Sequence, residues 1–261
     1  MNAMTPPKGF TPAPDTKLAP LRRDWPKALR ALRKLLGDKD DTVQVFEIMR
    51  ALNGSATRDA YNKLLGTVGG GRMAYERREL SELLMDRAAL AQYPAGTLAA
   101  HYLAFTTAGQ IDAEGLADVS RQVERESGID LAHPYAWFGR RTRDVHDFWH
   151  ILTGYDLTGL GEACLVAFSY AQTRAMGWAV IATGAALRGR KNKAHPYARA
   201  IWEGYKRGKS AAWLLGEDYE AMLGEQLEPL RARLGLTPPK LFDAIPVAAR
   251  NEALPKEQLA R

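Results

Sequence analysis

The chain has 261 residues, of which 46% are hydrophobic and 25% are charged, an ordinary globular composition that supports one sizeable core. Its 36 basic and 30 acidic residues give a formal net charge of +6, but the basic residues are spread along the chain without a nucleic-acid motif, so no nucleic-acid partner is expected. The single cysteine, Cys164, excludes an internal disulfide and predicts a buried thiol in a reducing compartment, with a metal thiolate as the alternative.

The N-terminal segment is rich in proline and predicts an extended arm over residues 1–24. It lacks the apolar core of a secretory signal. From Trp25 onwards, leucines recur with helical spacing, which begins a predicted all-α domain over residues 25–236. Pro238-Pro239 opens a predicted irregular tail over residues 237–261.

Helical patterns fill this domain, and no segment alternates polar and apolar residues as a half-buried strand does. Gly69-Gly70-Gly71 lacks the lysine of a phosphate-binding loop and predicts a flexible turn. The apolar run 163–187 has Arg174 near its middle, which disfavours a membrane span and predicts one long buried helix. The predicted helices cover residues 25–36, 43–52, 58–65, 76–86, 97–105, 113–127, 134–152, 163–187, 196–208, 210–215 and 218–234.

The most informative motif is His146-Asp147-Phe-Trp-His150, followed twelve residues on by Glu162. Helical residues four apart share one face, so His146 and His150 can bind one divalent ion through their imidazoles. Glu162 supplies a further ligand from the next helix, although helix capping alone would also explain a carboxylate there. Asp147 lies about 100° around the helix from His146, so it is either a ligand in a bent rotamer or a group that orients a histidine.

Two hydrolase classes share parts of this motif. A metalloprotease has glutamate beside the first histidine, where this chain has Asp147, so peptide hydrolysis is disfavoured. An HD-type phosphohydrolase also uses adjacent histidine and aspartate but needs a further upstream histidine. His101 and His133 are candidates for that position only by default.

The flanks of the motif are more specific than the motif itself. Upstream lies Tyr93-Pro-Ala-Gly96-Thr97-Leu98, and downstream lie Gly161-Glu162, Glu203-Gly-Tyr205-Lys-Arg207-Gly208 and Asp218-Tyr219-Glu220. With HDxxH(x11)E between them, these segments resemble the coenzyme Q (ubiquinone) biosynthesis protein family, in the type of its fourth member. The resemblance covers about residues 40–240.

This resemblance implies that His146, Asp147, His150 and Glu162 are all metal ligands and form the catalytic site of an all-α single domain. The site would lie between the HDxxH helix and the long apolar helix that follows. Mixed nitrogen and oxygen ligands suit zinc, iron or cobalt. Arg141 and Arg143 match paired basic positions of the family and are candidates for binding a substrate carboxylate. A solvated face or an ion pair with Asp144 is the alternative.

The family implies a role in ubiquinone biosynthesis, in which the C1 carboxyl of a polyprenylated 4-hydroxybenzoate intermediate is replaced by hydroxyl through oxidative decarboxylation. It also implies scaffolding of the other ring-modifying enzymes. The alternative function is a non-catalytic scaffold that binds prenyl lipid and carries a structural metal. Expected partners are the polyprenylated hydroxybenzoate or quinone lipid, the other pathway enzymes, a second copy of the chain and a membrane surface. Peripheral attachment to the cytoplasmic side of the inner membrane is expected in bacteria, and to the matrix side in mitochondria.

Overall fold

A computed structural model describes residues 22–37, 42–109 and 132–253. Within these ranges the chain is helical, and its only strand-like pairing is one isolated bridge between Thr97 and Gln226, which confirms the all-α fold class. The helices, with a 3-10 turn at Leu214–Gly216, are α1 (Trp25–Gly37), α2 (Thr42–Leu52), α3 (Ala56–Leu65), α4 (Gly70–Glu76), α5 (Leu80–Met85), α6 (Arg87–Leu90), α7 (Leu98–Gly109), α8 (Pro134–Thr153), α9 (Gly159–Thr173), α10 (Met176–Gly189), α11 (Tyr197–Ser210), α12 (Tyr219–Met222), α13 (Leu227–Arg233), α14 (Lys240–Asp243) and α15 (Val247–Ala253). The predicted helix over residues 113–127 and most of the predicted arm lie outside the described residues.

Helix α8 carries the metal motif and has well-defined ends. At its start the His133 side chain accepts a hydrogen bond from the Tyr135 N–H, and Pro134 occupies the first helical position, where no donor is needed. At its end Gly154 has φ 79° and donates its N–H to the His150 carbonyl. This confirms the predicted motif helix and its closure by Gly154.

The predicted single helix over 163–187 is wrong, because the chain breaks between α9 and α10. Arg174 adopts the left-handed conformation at φ 58° and donates its N–H to the Tyr170 carbonyl. The buried Thr173 hydroxyl then accepts from the Ala175 N–H, which offers the backbone an alternative to continuing the helix. The break lets α10 fold back towards α8. Within the described ranges, no helix is both long and apolar enough to cross a bilayer.

Helix α11 supports the back of α9 through two glycines at its surface. A Cβ at Gly204 would lie 2.4 Å from the Cys164 carbonyl oxygen, and one at Gly208 would lie 2.6 Å from that of Phe168. The absence of side chains therefore allows the two helices to pack backbone to backbone. Cys164 is fully buried at this contact, as predicted, and burial raises the pKa of its thiol well above the ordinary value.

The N-terminal hairpin of α1 and α2 covers the outer side of α10. Its buried residues form a small apolar cluster against Met176, Val180 and Ile181. Contact is close at Gly177, where a Cβ would lie 2.5 Å from the Met49 sulfur. The hairpin thus holds α10 in the position from which it reaches the motif helix.

The prediction of an irregular tail is wrong for the part of the tail that the structure describes, residues 237–253. Pro239 precedes α14 instead of ending all regular structure, since proline is tolerated at a helix start. Phe242, Ile245 and Ala249 are buried in the main core, and the Tyr197 hydroxyl donates to the Ala249 carbonyl. The apolar spacing of this segment therefore outweighs the proline signal. Residues 254–261 lie outside the described ranges.

Candidate metal centre

Two histidines of α8 and one glutamate of α9 bring their ligand atoms together. Among the described residues, His146, His150 and Glu162 form a group whose donor atoms all lie within 4.8 Å of one another. Glu162 Oε2 lies 3.5 Å from His150 Nε2 and 3.8 Å from His146 Nε2. Ligands at about 2.1 Å from a tetrahedral ion lie about 3.4 Å apart. The donor set therefore fits one divalent ion with little movement.

The turn that precedes Glu162 fixes its position. Thr158 caps α9 by accepting a hydrogen bond from the Gly161 N–H, and Asp156 in turn accepts one from the Thr158 N–H. A Cβ at residue 161 would lie 2.0 Å from the Asp156 carbonyl oxygen. Glycine is therefore required immediately before Glu162 for the chain to turn this closely and place the carboxylate in the first turn of α9.

A backbone hydrogen bond orients His150. Its Nδ1 lies 3.0 Å from the Tyr155 carbonyl oxygen, and a carbonyl can only accept. Nδ1 therefore carries the proton when the ring is neutral, and the Nε2 lone pair is directed towards Glu162. Phe105 stacks on the ring with centroids 5.4 Å apart, and only 1% of the His150 side chain is exposed.

The other two donors lie on the solvent side of the site. His146 stacks on Trp178 of α10 with ring planes 8° apart, and its side chain is 25% exposed. The Glu162 side chain is 30% exposed. The group is thus closed behind His150 and open beside His146 and Glu162, as in catalytic metal sites that keep one position for water or substrate.

The electrostatics of the three donors are coupled. Burial opposes the charged form of His150, but the adjacent Glu162 carboxylate outweighs burial, so the pKa of His150 is raised. Burial also opposes the charged form of Glu162, but the two imidazoles hold its pKa well below the ordinary range.

Asp147 lies beside the donor group but outside it. Its oxygens are not part of the compact set that the described residues form. Burial raises the pKa of Asp147, against the opposing influence of His146 and His150. Of the four predicted ligands, three converge and the fourth is an electrostatic neighbour, and its assignment as a ligand stays a prediction.

Arg141 and Arg143 both have carboxylate partners within the protein. Arg141 is 3% exposed and pairs with Glu220 through two hydrogen bonds of 2.8 and 2.9 Å. Arg143 pairs with Asp144 at 2.6 Å, in agreement with the ion-pair alternative. The geometry favours a structural role for both arginines, and a substrate role stays a prediction.

Sequence reasoning missed the residues that shape the site around its donors. Trp178 lies in the apolar run and is expected from the sequence only as part of a long buried helix, while Phe105 appears only as a helix end. His150 is oriented by the backbone carbonyl of Tyr155, and every residue type has such a carbonyl, so the sequence carries no sign of this contact. His133 caps α8, and His101 is exposed on α7, so neither joins the donor group.

The family model described as Coenzyme Q (ubiquinone) biosynthesis protein Coq4 matches residues 36–240. A curated relative from Pyricularia oryzae, named ubiquinone biosynthesis protein COQ4, mitochondrial, is 28% identical over 184 residues, which cover 70% of this chain and 57% of the relative. The homolog from Rattus norvegicus is 28% identical over 174 residues, covering 65% of this chain and 62% of the relative. The matched region thus spans less than two thirds of the length of these relatives.

The fold also matches a solved structure. The crystal structure of a protein from Nostoc punctiforme, named for ubiquinone biosynthesis, has a TM-score of 0.59 and 20% sequence identity. The match covers 82% of this chain and 98% of the Nostoc chain. At this identity the likeness shows a shared helical fold.

Proposed function

This chain belongs to the coenzyme Q (ubiquinone) biosynthesis protein Coq4 family, and we propose that it acts in ubiquinone biosynthesis as a metal-dependent enzyme. The proposed reaction replaces the C1 carboxyl of a polyprenylated 4-hydroxybenzoate by hydroxyl. The carbon–carbon bond to the carboxylate breaks and carbon dioxide leaves. Water supplies the oxygen of the new carbon–oxygen bond, and dioxygen accepts the two electrons and two protons and leaves as hydrogen peroxide.

The observation that carries this proposal is the converging donor set of His146, His150 and Glu162. Its composition of two imidazoles and one carboxylate fits zinc, iron or cobalt. A bound divalent ion supplies Lewis acidity towards a carboxylate and, if it is iron, redox chemistry with dioxygen. The fit rests on the 3.5 and 3.8 Å separations and on a His150 ring whose second nitrogen already has a partner.

The surrounding residues have separate roles in this proposal. Tyr155 holds the His150 ring in one orientation, which keeps its Nε2 lone pair directed at the site. Trp178 stacks on His146 at the open side of the site, and Phe105 stacks on His150 at its closed side. The open side beside His146 and Glu162 is where a substrate carboxylate would approach, and an aromatic ring would lie against Trp178.

A non-catalytic scaffold with a structural metal is the second candidate. The burial of His150 behind Phe105 favours it, because a structural ion also needs a rigid, closed ligand. The partly exposed His146 and Glu162 favour the enzyme, since structural zinc sites have no open position. Binding to other pathway enzymes, self-association and peripheral attachment to the inner membrane belong to either form of the proposal.

The test replaces His146 by alanine in cells that depend on this chain for ubiquinone. We expect the His146→Ala cells to accumulate carboxylated, prenylated ring intermediates, measured by mass spectrometry, while the protein level stays normal. His101→Ala is the matched control, because His101 is exposed on α7 and outside the donor group. Clearance of the intermediates by His146→Ala as fast as by His101→Ala would exclude catalysis at this site and leave the scaffold.

A further inference from the structure

The two histidines of the donor group are held in different ways. His150 Nδ1 lies 3.0 Å from the Tyr155 carbonyl oxygen, and 1% of the His150 side chain is exposed. The His146 side chain is 25% exposed. Within the described part of the chain its ring has a polar contact at Nε2, 3.8 Å from Glu162 Oε2, and none at Nδ1. The orientation of the His146 ring therefore depends on packing and not on a hydrogen bond at its second nitrogen.

Two aromatic rings pack against His146. The His150 ring meets it edge-on, with centroids 5.1 Å apart and planes at 88°. The Trp178 indole is nearly parallel to it, with planes 8° apart and centroids 5.9 Å apart, which is an offset stack. An edge touches the ring at one point, whereas a parallel stack covers a face and opposes rotation of the ring. Trp178 is therefore the contact that fixes the ring plane of His146.

Helix α10 is held on two sides where it carries Trp178. The hairpin of α1 and α2 packs against one side, where a Cβ at Gly177 would lie 2.5 Å from the Met49 sulfur and 3.0 Å from the Met49 Cα. Trp178 follows about 100° around the helix and packs against the main core, in which Ala182 of the next turn is buried. The backbone of α10 thus fixes the indole face that meets His146.

We propose that Trp178 is a positioning residue of the metal centre, and that its indole holds the exposed ligand His146 in the orientation that binds a divalent ion. This inference rests on the metal-binding part of the proposed function and on no step of the reaction. It assigns to stacking the task that the Tyr155 carbonyl performs for His150.

The number of side-chain arrangements sets the size of the expected effect. In a helix two of the three χ1 wells are commonly populated, and the ring has two arrangements about χ2, which gives about four. An unsupported His146 directs Nε2 towards the donor group in about one quarter of the molecules, and the apparent metal affinity falls by the same factor. Loss of the stacking energy brings the total to about four- to tenfold.

Zn²⁺ binding by the full chain, measured by competition with a chromogenic chelator, tests the proposal. We expect Trp178→Ala and Trp178→Leu to bind Zn²⁺ about four- to tenfold more weakly than the wild type, and Trp178→Phe to stay within about twofold. Leucine keeps apolar volume without a flat face, whereas phenylalanine keeps the face. Trp202→Ala on α11 is the matched control, because the Trp202 indole is 58% exposed and stacks on Tyr205 instead of a donor residue.

NMR of the histidine rings gives a readout that a loss of stability alone would not change. The chain has five histidines, so nitrogen-15 labelling of histidine with His146→Ala as a reference assigns the His146 ring. In metal-free protein we expect its ring signals to shift and broaden in Trp178→Ala and to recover in Trp178→Phe. The His150 signals should stay, since the Tyr155 carbonyl still holds that ring. Circular dichroism and the thermal midpoint confirm that each variant is folded.

Three results would overturn the positioning role. They are wild-type Zn²⁺ affinity in folded Trp178→Ala, equal affinities of the leucine and phenylalanine variants, or equal changes in the His146 and His150 ring signals. Failure of the proposed function gives a different pattern. Wild-type protein that binds no Zn²⁺ would remove the metal centre, while the ring signals of the metal-free protein still report whether Trp178 holds His146. Equal Zn²⁺ binding by the wild type and Trp178→Ala would remove the positioning role alone.

Discussion

The backbone carbonyl of Tyr155 accepts a hydrogen bond from His150 Nδ1 at 3.0 Å, and this contact determines which nitrogen of His150 faces Glu162. The carbonyl belongs to the turn that follows α8. The turn that ends the motif helix therefore also fixes which nitrogen of His150 is free to bind a metal. The residues that support this turn should therefore affect metal binding without touching the ion.

Arg207 is the residue through which this relationship can be tested. Its buried guanidinium donates to the carbonyls of Thr153 and Thr237 and lies 4.9 Å from the Tyr155 ring centroid. We expect Arg207→Ala to lower the free energy of unfolding by about 1–3 kcal/mol, because it leaves the buried Thr153 carbonyl without its donor. Metal affinity should fall as well. Chemical denaturation and metal titration measure the two effects.

The control for Arg207 lies on the same helix. Arg199 is exposed on α11, and Arg199→Ala should change stability by no more than about 0.5 kcal/mol. An Arg207→Ala protein with unchanged metal affinity would show that the turn keeps its geometry without the guanidinium.

The pH dependence of the metal-free protein follows from the coupled pair. The raised pKa of His150 adds stability that is full below its unfolded value of 6.5 and is lost as pH rises through the folded pKa. The lowered pKa of Glu162 adds stability that is present above 4.5 and is lost on acidification. Chelated protein should therefore have a higher thermal midpoint at pH 6 than at pH 8.

Metal should reverse this trend, because it binds the deprotonated imidazole and its affinity rises with pH. Scanning calorimetry with and without added Zn²⁺ from pH 5 to 8 measures both slopes. Parallel pH profiles with and without metal would contradict the assignment of His150 as a ligand.

The Arg141–Glu220 pair should matter for folding and not for metal binding. Removing one member leaves the other charge buried, and such losses cost about 3–5 kcal/mol. We expect Glu220→Ala to lower the free energy of unfolding in this range while the folded protein keeps its metal. Glu228, 78% exposed and paired with Arg231, is the control, and Glu228→Ala should cost at most about 1 kcal/mol. Loss of metal from folded Glu220→Ala protein would instead place Arg141 in the functional site.

The contact between α9 and α11 predicts opposite effects for two glycine substitutions. In Gly204→Ala the new methyl group meets the Cys164 carbonyl oxygen at 2.4 Å, so we expect a loss of about 1–3 kcal/mol. Gly139 lies within α8, and nothing lies within 4 Å of the position that a methyl group would take there, so Gly139→Ala should stabilise by up to about 1 kcal/mol through helix propensity. Urea denaturation of both variants measures the difference, and equal effects would argue against close backbone packing.

The helical fold and the three converging donors could be predicted because both depend on spacing along the chain. Residues four apart on a helix share a face, and Glu162 begins the next helix, so local geometry brings the donors together. The break at Arg174 could not be predicted, since a non-glycine residue adopts the left-handed conformation there without a proline or glycine signal.

Contacts between distant residues were also beyond the sequence pattern. Arg141 finds its partner 79 residues away, which no helical period encodes. The helices of the tail were missed because Pro238-Pro239 suggested irregular structure, while the burial of Phe242 depends on tertiary packing. The sequence pattern therefore predicts the metal-binding residues of α8, whereas the residues that surround them depend on the tertiary fold.

The most direct test of the central claim is the metal content of purified protein, measured by elemental analysis. We expect one divalent ion per chain in the wild type and in His101→Ala, and loss of that ion in His150→Ala and Glu162→Gln, with all four proteins folded. Equal metal content in all four, or none in the folded wild type after incubation with Zn²⁺, Fe²⁺ or Co²⁺, would contradict a metal centre at His146, His150 and Glu162.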